Sequence, residues 1–325
     1  MDFFLFYFIV LANNVFLSYN INCYAGAVMV ARGDFMLAKD LYAQVDRDFL
    51  YPELRDDYTD FIAAMRAIKV INEYITQSFR TRSMGLLFDF AEEVHKVYTA
   101  VFPSENVLKK VLALAKKHKK GCMLLLHHPL DWSYKDEKLD WLQIAPKWLE
   151  KCRKAQIAIY IMNTPLDNYG KYSTGRTFAE VVGITAVEPF VEYMGGMVGI
   201  IGRTRCKTLQ ELSDVFCSAI GHAPQIYPYG SEIIRDGMVA VMPGGGQDTN
   251  ISPNVSARGI NTLIVGVSNK SYLSNHCFEQ TKGINIIGGT RYSTEKFACI
   301  SICNYFRKLG VPASFIEDSP TLEDM

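Results

Sequence analysis

The sequence predicts an α/β fold, two-lobed, with mostly parallel sheets flanked by helices and a polar cluster at the carboxyl ends of the strands. Three observations predict it. Short all-apolar runs such as "CMLLL" (122–126) and "IAIYIM" (157–162) suit strands buried on both faces. Segments with three- and four-residue apolar spacing alternate with them, the pattern of strand–helix–strand units and a parallel sheet. Several runs also stop at polar residues. "LLLHHPLDW" (124–132) passes from three leucines straight into paired histidines.

The bulk composition sets the limits. A chain of 325 residues holds one large domain or two ordinary ones. It is 49% hydrophobic and 21% charged, which is ordinary for a globular protein. Lys+Arg and Asp+Glu are both 34, so no field of one sign covers the chain and no nucleic-acid partner is indicated. The eight cysteines are scattered without a CxxC pair and read as reduced thiols of a cytoplasmic protein. The amino terminus, "MDFFLFYFIVLANNVFLSYN", is strongly apolar for about 11 residues but carries Asp2 and no Lys or Arg. A signal peptide wants a basic start, and a spanning helix wants roughly 20 apolar residues. Residues 1–30 are therefore set apart as an apolar N-terminal segment, either buried or an extension outside the core fold. No membrane partner is expected.

Along the chain, the spacing of Leu54, Tyr58, Phe61, Ile62, Met65, Ile68 and Ile75 predicts a packing helix over 54–79, with Arg55, Asp56 and Asp57 on its polar side. "KVYTAVF" (96–102) has strand composition. The helix after it is capped by Ser104 and closed by lysines 116, 117, 119 and 120 and by Gly121. The "KKHKK" run reads as a helix end complementing its dipole, because nothing aromatic interleaves with it in sequence. Pro146 opens a helix over 146–155. "STGRTFAEVVGI" reads as a helix, "FVEYMGGMVGIIG" as a strand pair about a glycine turn, and 208–221 as a helix ended by Gly221. "GMVAVMPGGGQD" reads as a strand running into a glycine turn, and "INIIGG" as a strand leading into a helix that Gly310 ends. Cys299 and Cys303, four apart on that helix, read as core thiols. Residues 31–170 and 236–325 are assigned to one lobe carrying the polar cluster, and 171–235 to a middle lobe.

Three strands thus end at His127–His128, at Asp167, and at the Thr290–Glu295 stretch. Ligands of open parallel sheets bind at the carboxyl ends of strands. Imidazole and carboxylate groups gathered there can bind divalent transition metals. Adjacent histidines point different ways from an extended backbone, so each can serve a different ion while a carboxylate bridges them. The competing reading makes them hydrogen-bonded core residues. The "PGGGQDTN" stretch (243–250) either cradles phosphate with backbone N–H groups or is a plain strand-to-loop turn; beside a metal, Asp248 would support a ligand. His95, His222 and His276 are read as structural or solvated.

"LLLHHPL", "MNTPLDN" and "GINIIGGTRYSTEKF", in this order, resemble the Nif-three-like dinuclear metal-centre family, often labelled GTP cyclohydrolase I type 2. The resemblance covers about residues 84–320. It implies two α/β lobes, ring-shaped homohexamers, and one or two divalent ions per chain (Zn, Mn or Fe). By the same resemblance His127, His128, Asp167 and Glu295 are the metal ligands, and Asp167 and Glu295 the catalytic pair. It further implies a metal-dependent hydrolase acting on a purine nucleotide or another phosphate-bearing ligand. The alternative is a non-catalytic metal-binding scaffold that acts through assembly and partner binding. Two positions depart from the family pattern. Arg291 stands where the family has its last histidine, and Asn163 where many members have another. Arginine cannot ligate a metal, so Arg291 is expected to point into the cluster and pair with its carboxylates. Tyr227 and Tyr229 read as exposed aromatics that fit an oligomer interface.

Overall fold

The computed structural model describes residues 35–56, 73–118, 120–129, 146–245, 251–267 and 276–318. The apolar segment 1–30, most of the 54–79 helix, and Asp248 lie outside the described residues. The described ends of that segment, 54–56 and 73–76, are not helical, and Gln77–Arg82 is a short helix of its own.

In chain order the main strands are β1 (Gly85–Phe88), β2 (Lys96–Ala100), β3 (Cys122–Leu126), β4 (Ile157–Ile161), β5 (Thr185–Glu188), β6 (Ile200–Arg203), β7 (Gln225–Tyr227), β8 (Met238–Gly245), β9 (Thr262–Val267), β10 (Asn285–Gly288) and β11 (Ala313–Phe315). Among the described residues they form a five-stranded sheet, order β11-β2-β3-β4-β1, and a six-stranded sheet, order β7-β10-β9-β8-β6-β5. The first is parallel except where β1 meets β4. The second is parallel at its centre, β8-β9-β10, and antiparallel at both flanks. The antiparallel flank at β5 and β6 arises because the chain returns between them through a tight hairpin, Val191–Tyr193 with Gly196–Val198, and not through a helix. Pairing of β6 with β8 crosses the 235/236 boundary expected from sequence, so strands on both sides of it share one sheet.

Side-chain alternation explains the layering. Met123 and Leu125 of β3 face one layer, where Leu41 and Val45 of α1 (Ala38–Phe49) join Ile302 and Phe306. Cys122, Leu124 and Leu126 face the other, with Val107 and Val111 of α2 (Glu105–His118) and Trp148 and Leu149 of α3 (Pro146–Lys154). Both faces are covered, so β3 and β4 are apolar at every position. The second sheet is built alike: Val239, Val241 and Ile264 pack on Phe178 and Phe216, and Ala240, Met242 and Leu263 on Val255.

The helix that follows β10 runs Arg291–Lys308. Thr290 caps it: its hydroxyl accepts from Ser293 N–H, while Ser293 Oγ accepts from Thr290 N–H. Gly310 beyond it has φ +81°, the left-handed value that ends a helix. Its amino end borders the second sheet, where Thr294 Oγ1 accepts from Gly244 N–H at 3.2 Å. Its carboxyl half packs on the first, where Thr99 Oγ1 donates to Cys299 C=O at 2.6 Å. Cys299 and Cys303 are buried core thiols. Tyr227 and Tyr229 are half-buried and packed around buried His276, not exposed, because β7 folds them back along the edge of β10. Phe306 is fully buried in the first layer. Phe306→Ala should lower stability by about 3–5 kcal/mol, read as a shifted urea midpoint with unchanged slope.

Candidate metal centre

β3 delivers the paired histidines. The chain stays extended past Leu126, with His127 N–H donating to Ala100 C=O and His128 N–H to Val101 C=O. Both rings are buried, 4.2 Å apart between centroids and tilted by 55°. Two residues past β4, Asn163 leads into the short helix Thr164–Asp167, which carries Asp167. The helix at Arg291–Lys308 brings Glu295 down between them, 2% exposed.

The four residues singled out from sequence meet here. His128 Nε2 lies 2.7 Å from Glu295 Oε2. His127 Nε2 lies 3.5 Å from Asp167 Oδ1 and 3.7 Å from Glu295 Oε1. Candidate ligand atoms of His127, His128 and Glu295 all fall within 4.8 Å of one another. His127 Nδ1 bonds Met162 C=O at 2.9 Å, so Nδ1 carries the hydrogen and Nε2 is left to face the carboxylates. That Nε2 is buried and has no hydrogen-bond partner. A buried imidazole nitrogen held beyond hydrogen-bond distance of two carboxylates is the arrangement a divalent cation would complete. The donor set, two imidazoles and two carboxylates, fits such an ion, and the Nδ1–carbonyl bond supplies the outer support that metal-bound histidines use.

The electrostatics divide the pair. Burial works against a charge on His127, but Asp167 and Glu295 outweigh it and push its pKa up to about 9. Burial takes His128 down to about 3 against the pull of Glu295. It is therefore neutral, donating Nε2–H to Glu295 while Nδ1 accepts from the Asn163 amide at 2.8 Å. Burial also opposes the Glu295 carboxylate, yet the two histidines hold it well below the usual range. Asp167 is pushed up to about 6 by burial, with His127 opposing and Glu295 adding; Thr174 donates to it at 2.7 Å.

The sequence-based reading missed Asp56. It had been placed on the polar side of a packing helix. In the structure it accepts from Thr164 Oγ1 and lines the same pocket as Asp167. Burial pushes its carboxyl up to about 7, with the Thr164 hydroxyl opposing and Asp167 adding. Nothing in its own segment signals this, since its partner is 108 residues away. His95 pairs with Glu93, and His276 sits between two tyrosines; neither joins the cluster. Arg291 does, with Nη1 3.7 Å from Glu295 Oε1. The glycine turn proves to be the opposite wall. Gly244 has φ +76°, and a Cβ there would strike Glu295 Oε1, so only glycine admits the buried carboxylate. A pocket of about 410 Å3 opens from the cluster, walled across from it by Val191, Val198, Met242 and Ile251.

A family model described as Duf34/NIF3 (NGG1p interacting factor 3) matches residues 61–320. The chain belongs to this family. Among its relatives, one from Deinococcus radiodurans named GTP cyclohydrolase 1 type 2 homolog is 24% identical over 237 residues, 71% of this chain and 83% of the relative. One from Pyrococcus abyssi with the same name is 24% identical over 261 residues, 78% of this chain and 97% of the relative. The solved structure of protein ybgI, of unknown function, superposes with TM-score 0.64 at 17% identity, over 88% of this chain and all of that one. TTHA1606 from Thermus thermophilus gives TM-score 0.59 at 19% identity, over 88% and 100%. These superpositions show that both chains share this fold. Among the described residues no helix is long and apolar enough to cross a membrane.

A metal entering this site must displace the His127 proton, since only the neutral imidazole ligates. Above about 6, where Asp167 is already ionised, and up to about 9, where His127 loses its proton, Zn²⁺ affinity should climb with pH. Competitive chelator titrations at several pH values should give roughly one decade per pH unit.

Proposed function

We propose that the chain is a metal-dependent hydrolase of the GTP cyclohydrolase type, with His127, His128, Asp167 and Glu295 holding one or two divalent ions. The observation that carries this reading is the buried, unpartnered Nε2 of His127 facing two carboxylates. A bound divalent ion would lower the pKa of its water toward about 7 and so supply hydroxide at neutral pH. The rest falls to the protein. The Met162 carbonyl fixes His127 with Nε2 inward. Asn163 fixes His128, and an amide can present either its NH₂ or its oxygen. It therefore serves both the Nε2–H tautomer of the metal-free chain and the Nδ1–H tautomer that a ligating Nε2 requires. Asp56, with its pKa near neutrality, is suited to take up and return a proton at a reacting group. The apolar wall opposite would seat the flat face of a purine.

The names of the relatives support a purine nucleotide as substrate, and the chemistry would be addition of water across a ring C–N bond followed by its cleavage. The chain loaded with Zn²⁺, Mn²⁺ or Fe²⁺ should turn over at least one member of a purine nucleotide panel, seen as loss of purine absorbance. Glu295→Gln should lose bound metal and cut the rate by at least about 100-fold. Turnover indifferent to this substitution and to EDTA would refute the reading. Metal binding without any turnover would favour a metal-binding scaffold. Assembly into a homohexamer belongs to the same reading, and light scattering should return a mass well above the 36.7 kDa of one chain.

A further inference from the structure

We infer that Arg291 makes this a one-ion centre in which a guanidinium supplies the second positive charge, and that this guanidinium receives a phosphate group of the ligand. The one-ion half rests on the metal reading above; the phosphate half does not.

Arg291 and Glu295 are one helical turn apart on the same face. Nη1 of Arg291 stands 3.7 Å from Glu295 Oε1. The side chain is 18% exposed, so it borders the pocket without leaving it. Two successive glycines make room for this pair. Gly244 admits the carboxylate, and at Gly245 an added Cβ would come within 2.8 Å of Arg291 Nη2. The guanidinium is thus laid against bare backbone.

Two consequences follow. Paired catalytic ions stand about 3.5–4 Å apart. A permanent cation already this close to Glu295 repels a second divalent ion from that side, and arginine offers no lone pair in exchange. The charge pattern then selects the ligand. The pocket is bordered by three carboxylates, Asp56, Asp167 and Glu295, and Arg291 is the one permanent cation among its described lining residues. An anionic ligand entering this pocket finds its complement at Arg291. A guanidinium carries five N–H donors in a planar fork that matches phosphate oxygens in pairs. Arg291 and the histidines meet the same carboxylate, so an ion held by His127 and His128 would act together with the guanidinium on one phosphate group.

The test uses the full chain and its Arg291→His, Arg291→Gln and Arg291→Lys variants. Each is loaded with Zn²⁺, desalted and assayed for metal, then titrated with inorganic phosphate, GMP and guanosine. Wild type should hold about one ion per chain and Arg291→His should approach two. Phosphate and GMP should bind Arg291→Gln at least about tenfold more weakly than wild type, with Arg291→Lys between them, while guanosine affinity stays the same. GMP binding much more tightly than phosphate would identify a nucleotide phosphate as the natural anion, and equal affinities a free phosphate; both outcomes support the inference. Two ions in wild type, or no gain in Arg291→His, would overturn the one-ion half. Unchanged phosphate affinity in Arg291→Gln would overturn the other. If no variant takes up metal, the hydrolase reading falls with the one-ion half, and the same titrations on the metal-free chain still decide whether Arg291 binds phosphate.

Discussion

The structure depends on a carboxylate kept charged inside the protein. Glu295 is almost fully buried, and an isolated carboxylate so placed costs several kcal/mol of lost hydration. Two imidazoles and a guanidinium surround it, and they come from different parts of the fold. His127 and His128 belong to the end of β3 in the first sheet, and Arg291 belongs to the helix of Glu295 itself. Gly244, from the central strand of the second sheet, presses on the same carboxylate. One side chain therefore ties together both sheets and the helix between them.

That coupling explains why the histidines titrate in opposite directions. They share one carboxylate, but Asp167 reaches only His127 closely. A proton in the metal-free cluster settles where two anions face it, on His127, and leaves His128 neutral to bond Glu295 and Asn163. The proton occupies the position a metal would take. Asn163 hydrogen-bonds His128, and the Arg291 guanidinium stands 3.7 Å from Glu295, so each adds a polar contact to a residue of the cluster.

The parallel core was legible in the sequence because burial on both faces leaves no polar residue in β3 or β4. The helix caps at Ser104 and Gly221 were legible because capping is local chemistry, and the structure shows the Ser104 hydroxyl accepting from Val107 N–H and Gly221 closing its helix in the left-handed conformation. The paired histidines, Asp167 and Glu295 stood out because each follows an apolar run at a strand end. What stayed hidden was long-range. Asp56 reaches the site only through Thr164, far along the chain. The glycines at 244 and 245 read as a strand-to-loop turn in preference to a phosphate cradle, and their contacts with Glu295 and Arg291 stayed hidden because those side chains lie some fifty residues later. The pairing of Lys109 with the Trp148 ring of the neighbouring helix was hidden in the same way, since the two residues are far apart in the chain.

The two walls of the pocket also differ in how they are held. The polar wall grows from β3, β4 and the Arg291–Lys308 helix, elements locked by parallel ladders and by buried hydrogen bonds such as Thr99 to Cys299. The apolar wall draws on the Val191–Val198 hairpin, whose two strands pair with each other and not with either large sheet. A centre that must hold charged groups within tenths of an ångström needs the first kind of support, because a misplaced buried charge is costly. A surface that only covers the flat side of a ligand tolerates the second, since apolar contact is non-directional. The fold therefore puts its most extensively paired elements behind the charges and a two-stranded hairpin on the facing wall. On this division, the apolar part of a ligand would meet the lightly paired hairpin, and its anionic part the Arg291 guanidinium beside Glu295.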